Sequence, residues 1–115
     1  MKTKMAILII FLATSAHAAE KPSRAFLKKA IEGNFAEIEM GKLAQQNGRS
    51  EDVKKFGQML IDDHSAANQK AIDAAHTTDV TLPNGANAKQ RAVLDKMSKV
   101  SGARFDSRFY QVMVA

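Results

Sequence analysis

Residues 59–75 read MLIDDHSAANQKAIDAA. Placed at 100° per residue with Val53 at 0°, Phe56, Leu60, Ala67, Ala71 and Ala74 fall within about 60° of Val53. Lys55, Gln58, Asp62, Gln69 and Asp73 gather on the opposite side. This is the pattern of a long amphipathic helix. Ser50 precedes it as an N-cap, and Glu51 and Asp52 sit favourably in its first turn. It is expected to run to about His76. His64 falls at about 20°, inside the apolar stripe.

Upstream, Pro22-Ser23 opens a first helix, with Ser23 as N-cap, running to about Gln46. Asn47-Gly48-Arg49 is a stop, and Gly48 is expected to form a left-handed C-terminal cap. So short a turn between two long helices makes them antiparallel neighbours. With Phe26 at 0°, Ala30, Gly33, Met40, Gly41 and Ala44 cluster around it, and Glu37 lands among them at about 20°. Phe35 and Leu43 lie off this stripe, which gives the helix two contact faces.

Downstream, Thr77 to Ala86 forms a loop punctuated by Pro83-Asn84-Gly85. Asn87 with Gln90 three residues later is a capping box, opening a shorter helix to about Val100. Ser101-Gly102 interrupts it. Phe105, Phe109, Val112 and Met113 then repeat at helical spacing. Only Val80-Thr81-Leu82 resembles a strand, so the fold class is all-α. It is an up-down helical bundle: a long helical hairpin with a second helical half laid against it.

The start of the chain reads as a targeting segment. Lys2 and Lys4 precede an apolar run, Met5 to Ala13, and Ala16-His17-Ala18 has the small-x-small form of a cleavage site. Residues 1–18 are therefore expected to be a signal peptide, cut near Ala18, leaving residues 19–115 as one helical-bundle domain. The apolar run is about half the roughly 20 residues that span a bilayer, so no transmembrane helix is expected in the mature chain. The protein would then be periplasmic or secreted.

The chain has no cysteine, so no disulfide supports the fold. Its net charge of +5 includes Lys2 and Lys4; without them fifteen basic residues face twelve acidic ones, a net +3. Export makes nucleic acid a poor partner, and the mild surplus leaves weak attraction to anionic envelope polymers.

An inward carboxylate and an inward imidazole set the question of a site. Counted from the turn, Glu37 lies about twelve residues back and His64 about fifteen forward. The offset is about one helical turn, so both can share one layer of the core. A buried hydrogen-bonded pair that fixes helix register is the favoured reading, because buried polar groups are paired. The alternative is a metal site in the bundle core, held by Glu37 and His64 with Asp63 beside the latter, binding a divalent or iron-type ion. A lone Asp62-Asp63-His64 run is a weak motif, and Asp62 lies on the wet face.

The segments AFLKKAIEGNFAEIEMGKLAQQNGRSEDVKKFGQMLIDDHSAANQ (residues 25–69), LPNG (82–85) and SGARFDSRFYQVMV (101–114) resemble a family of exported bacterial ferritin-like proteins, domain of unknown function 4142. Its members are often labelled outer membrane or periplasmic proteins. The resemblance covers nearly all of the chain after residue 18 and implies export and a four-helix bundle. It also makes Glu37, His64 and Asp63 the positions to watch. It supplies no established reaction. A ferritin-type di-iron site needs a Glu-x-x-His step, and Ile61 stands where that glutamate would be. Phe109 to Ala115, FYQVMVA, echoes Phe56 to His64, FGQMLIDDH, and the family pattern carries a further helical stretch after this point. The chain is thus expected to lack a final helix, leaving an apolar groove for a second copy or a partner's helix.

No nucleophile constellation emerges. Ser65 is next to His64, but adjacent helical positions do not face each other. Aromatic residues at helical spacing, such as Phe105, Phe109 and Tyr110, read as core. Four methionines lie beyond the leader at scattered, core-like positions, as packing residues do. The expected function is a noncatalytic structural or interacting role in the cell envelope, with no cofactor. The alternative is a metal-binding or redox protein using Glu37 and His64.

Overall fold

The computed structural model describes residues 22–115. The expected signal segment, residues 1–18, lies outside the described residues. Four helices follow in order: α1 Arg24–Asn47, α2 Glu51–Ala75, α3 Ala88–Ser98 and α4 Gly102–Val114. Among the described residues there is no strand, and Val80-Thr81-Leu82 lies in the loop between α2 and α3.

Local chemistry sets the helix starts. The Ser23 side chain accepts from the Phe26 N–H, and Ser50 accepts from Val53 N–H, each at 3.1 Å. Asn87 and Gln90 form the reciprocal capping box, with bonds of 2.8 and 2.9 Å. Each cap satisfies backbone donors that the first turn leaves orphaned and contributes about 1 kcal/mol.

The turn after α1 departs from expectation. Gly48 has φ −67° and ψ 151°, an extended conformation, not a left-handed one. Its glycine answers a different demand: a Cβ there would crowd the Ala44 carbonyl oxygen and come within 2.9 Å of Val53 Cγ1. The left-handed residue is Gly102, φ +66°, at the start of α4. A side chain at Gly102 would meet strain from the backbone alone.

The helices run up, down, up and down. Gly41 stands against Gly57, and Asn34 stands against His64, seven residues back on α1 and seven forward on α2. Those two contacts define an antiparallel pair in constant register. At the glycine pair the backbones nearly touch. A Cβ on Gly41 would lie 2.5 Å from the Gly57 carbonyl oxygen, and one on Gly57 would lie 2.7 Å from that of Gly41.

α3 returns alongside α1. The Asn87 side chain reaches Glu32 at 3.4 Å, and the Asn47 amide donates to the Val100 carbonyl at 3.1 Å. α4 then descends beside the start of α2, where Phe56 and Phe109 meet edge to face at 5.8 Å between centroids. Phe105 and Phe109 stack at 5.7 Å.

The second helical half therefore covers only the end of the hairpin near the turn. There Met40, Ala44, Leu60, Leu94, Met97, Phe105 and Phe109 form the main core. At the far end Leu27, Ile31 and Ala75 form a smaller one, covered from the loop by Leu82.

The buried faces differ from the wheel reading in detail. On α2 the inward line passes through Gly57, Leu60, His64, Asn68 and Ala75, centred about 30° from Val53. Ala67 is exposed, and Phe56 lies at the edge of the seam. On α1 the part of the expected stripe through Gly33, Glu37 and Met40 faces α3 and α4, while its Gly41 and Ala44 meet α2. Phe26 itself is 62% exposed, because α3 begins only beside Glu32, further along α1. The second face, through Leu27, Ile31, Asn34 and Gly41, meets α2. Two contact faces were expected, with the apolar weight on the other one.

Candidate functional site

A polar layer divides the two apolar clusters. Asn34 and Glu37 contribute to it from α1, His64 and Asn68 from α2. All four lie on helix positions that a purely apolar seam would give to leucine or alanine.

His64 is half-buried, and its Nδ1 lies 2.9 Å from Asn34 Oδ1. An amide oxygen can only accept, so Nδ1 is the donor of this bond. Asn68, one turn on, is 6% exposed, and its Oδ1 is buried without a hydrogen-bond partner.

Glu37 is also half-buried. By the register of the hairpin it stands opposite Ile61, so His64 is one turn further along, about 4.5 Å of axial rise. The axial offset is the expected one. The partner is not: His64 takes Asn34. Glu37 stands at the border of the two faces of α1 and lines a hollow between α1, α3 and α4, together with Gln90, Leu94 and Met113. Its Oε2 is buried with no hydrogen-bond partner. Asp63 is exposed, on the outer side of α2. Among the described residues, no three His, Asp or Glu side chains converge closely enough to hold a metal ion.

A second polar device lies at the turn. Asp106 on α4 accepts from the backbone N–H groups of Arg49 and Ser50 through its two oxygens, each at 2.9 Å. Partial burial pushes its carboxyl up. The two backbone hydrogen bonds, a bond from the Ser50 side chain and the Arg49 charge outweigh that and hold it below the ordinary value. The carboxylate ties α4 to the start of α2, where the helix dipole also favours negative charge.

Asn34, Asn68 and Asp106 were not singled out from the sequence. Leu27, Ile31 and Ile38 mark a second apolar arc on α1 to which Asn34 belongs, and that arc is the signal that could have found it. Asp106 has no comparable signal, because its partners are backbone groups 56 and 57 residues away.

The fold and its polar layer define an all-α, up-down bundle built on a long hairpin with a divided core. The chain belongs to the family described as domain of unknown function (DUF4142), whose sequence pattern matches residues 12–115. No curated protein matches the chain, and no solved structure does. Among the described residues no helix is long and apolar enough to cross a membrane.

Proposed function

We propose that the chain is an exported, ferritin-like bundle protein of the cell envelope, with a noncatalytic, interacting role. The basic, apolar and small-residue order of residues 1–18 supports export. The interacting role is carried by one observation, the apolar surface between α2 and α4. Tyr110 and Val114 are 68% and 63% exposed, and Phe56 is 37% exposed. They flank a hollow of about 330 Å³ with Asp52 at its edge. Contiguous apolar surface of this kind marks a contact site.

The partner is a second copy of the chain. Each copy offers both the protruding Tyr110 ring and the hollow, as a two-fold contact requires. Light scattering on the purified chain tests this. A dimer is expected, and Tyr110→Glu is expected to yield a monomer with unchanged helical content. A wild-type chain that stays monomeric at high concentration overturns the reading. Export is tested by fractionating cells that express the full chain: a processed form beginning at Ala19 outside the cytoplasm is expected, and an unprocessed cytoplasmic form rejects it.

A second reading, metal binding, is favoured by the Asn34–His64 bond. Metal-ligating histidines commonly donate one ring N–H to an oxygen, which aims the other nitrogen at the ion. Here Nε2 would be that ligand, with Glu37 one turn away and Asp63 adjacent in sequence. Zinc or iron(II) titration followed by calorimetry discriminates: heat that disappears in both His64→Ala and Glu37→Gln supports the reading, and heat that survives either substitution rejects it.

A further inference from the structure

We propose that the hollow between α1, α3 and α4 binds a compact apolar molecule carrying a protonated amine. The hollow has a volume of about 340 Å³, within the range of small-ligand sites. Its walls are aliphatic and thioether surface from Ala36, Met40, Leu94 and Met113. Methionine side chains adapt to the shape of an apolar guest.

Two polar groups interrupt those walls. Glu37 brings a carboxylate whose Oε2 is buried without a donor. Gln90 comes from α3, with its Oε1 already engaged by the Asn87 N–H at 2.8 Å. Its amide N–H groups remain the polar atoms it can offer a guest. A carboxylate oxygen held out of water without a donor is costly. An ammonium group supplies up to three N–H donors and the opposite charge, and such charge-assisted bonds are the stronger kind. An anionic guest would meet Glu37 as a like charge. A neutral alcohol would bring one donor and no charge. The site therefore selects for a cationic head on a short hydrocarbon body. It shares Met113 with the α2–α4 hollow, the rest of its lining is separate, and it depends on neither the export nor the dimer reading.

Three probes with the same six-carbon body test it: n-hexylamine, hexan-1-ol and hexanoate, titrated into the full chain at pH 7. Methionine methyl NMR signals report the site. Hexylammonium is expected to shift the Met40 methyl saturably, with Met113, which also lines the α2–α4 hollow, moving in step with it, and to leave that of Met59 on α2 in place. Hexan-1-ol and hexanoate are expected to bind more weakly by about tenfold or more, as is hexylammonium to Glu37→Gln. Leu94→Trp, which fills the hollow, is expected to abolish the shifts. Equal affinity for the three probes, an unchanged affinity in Glu37→Gln, or no saturable shift overturns the proposal. Should either variant lose its circular dichroism, the three-probe comparison on the unaltered chain decides alone.

Discussion

His64 Nδ1 and Asn34 Oδ1 lie 2.9 Å apart across the α1–α2 seam, seven residues from the point where Gly41 and Gly57 bring the backbones together. One contact is polar and the other is a near-touch of main chains. Together they set the register of the hairpin.

The polar contact predicts a linked change in stability and tautomer. Asn34→Leu leaves a half-buried imidazole nitrogen without its acceptor. Urea unfolding is expected to show a loss of about 1–3 kcal/mol. The ring nitrogen shifts should move in parallel, from a His64 with hydrogen on Nδ1 to a mixture of both neutral forms. Unchanged shifts would show that Asn34 does not set the tautomer.

The glycine contact predicts opposite signs at two positions of one helix. Gly41→Ala places a methyl 2.5 Å from the Gly57 carbonyl oxygen. The helices must separate, at a cost of about 1–3 kcal/mol. At Gly33 an added Cβ meets nothing within 4 Å. Gly33→Ala is expected to stabilise by up to about 1 kcal/mol through helix propensity alone. Thermal melts of the two variants side by side check the contrast.

Asn68 is the buried polar group with most to gain from removal. It is 6% exposed, and its Oδ1 has no partner. Asn68→Leu replaces an unsatisfied amide with a side chain of similar size. The expected gain is about 1 kcal/mol or more in chemical denaturation. A loss of that size would mean that the amide makes bonds on which folding depends.

Asp106 predicts a pH dependence with a definite direction. Its carboxyl is held below the ordinary value of about 3.9 in the folded chain. The stability it contributes is therefore fully present above about pH 4 and is lost as the pH falls through the lowered folded value. Asp106→Asn should flatten that acid limb and lower the melting temperature at pH 7. The wild type and variant should converge once the pH lies below that lowered folded value. A gap that stays constant through the whole acid limb of the wild type would assign the Asp106 effect to packing instead of charge.

Much of this architecture was legible in the residues. Ser23, Ser50 and the Asn87–Gln90 pair mark three helix starts, because capping is local chemistry written within four residues. The register of the hairpin could be counted from its turn, which placed Glu37 and His64 one turn apart. Their partners were not legible. Glu37 and His64 are each half-buried, but the wheel shows only that a side chain faces inward, not which of two neighbouring helices it meets. Asn34 wins His64 because it lies directly opposite, while Glu37, rotated toward α3, opens onto a different hollow. The glycines tell the same story. Gly48 stands where a left-handed cap is common, yet the left-handed residue is Gly102, since crowding by Ala44 and Val53 explains the first and chain reversal into α4 the second.

The sequence by itself determined that the described chain is four helices in a given order, where three of them begin, and that its first two are antiparallel. These follow from capping, periodicity and turn length, all of which act within a few residues. Only the tertiary structure decided the rotation of each helix, the pairing of His64 with Asn34, the two unpartnered oxygens of Glu37 and Asn68, and the clamp of Asp106 on Arg49 and Ser50. These depend on how closely whole helices approach, and that distance is set by the joint packing of residues far apart in the chain.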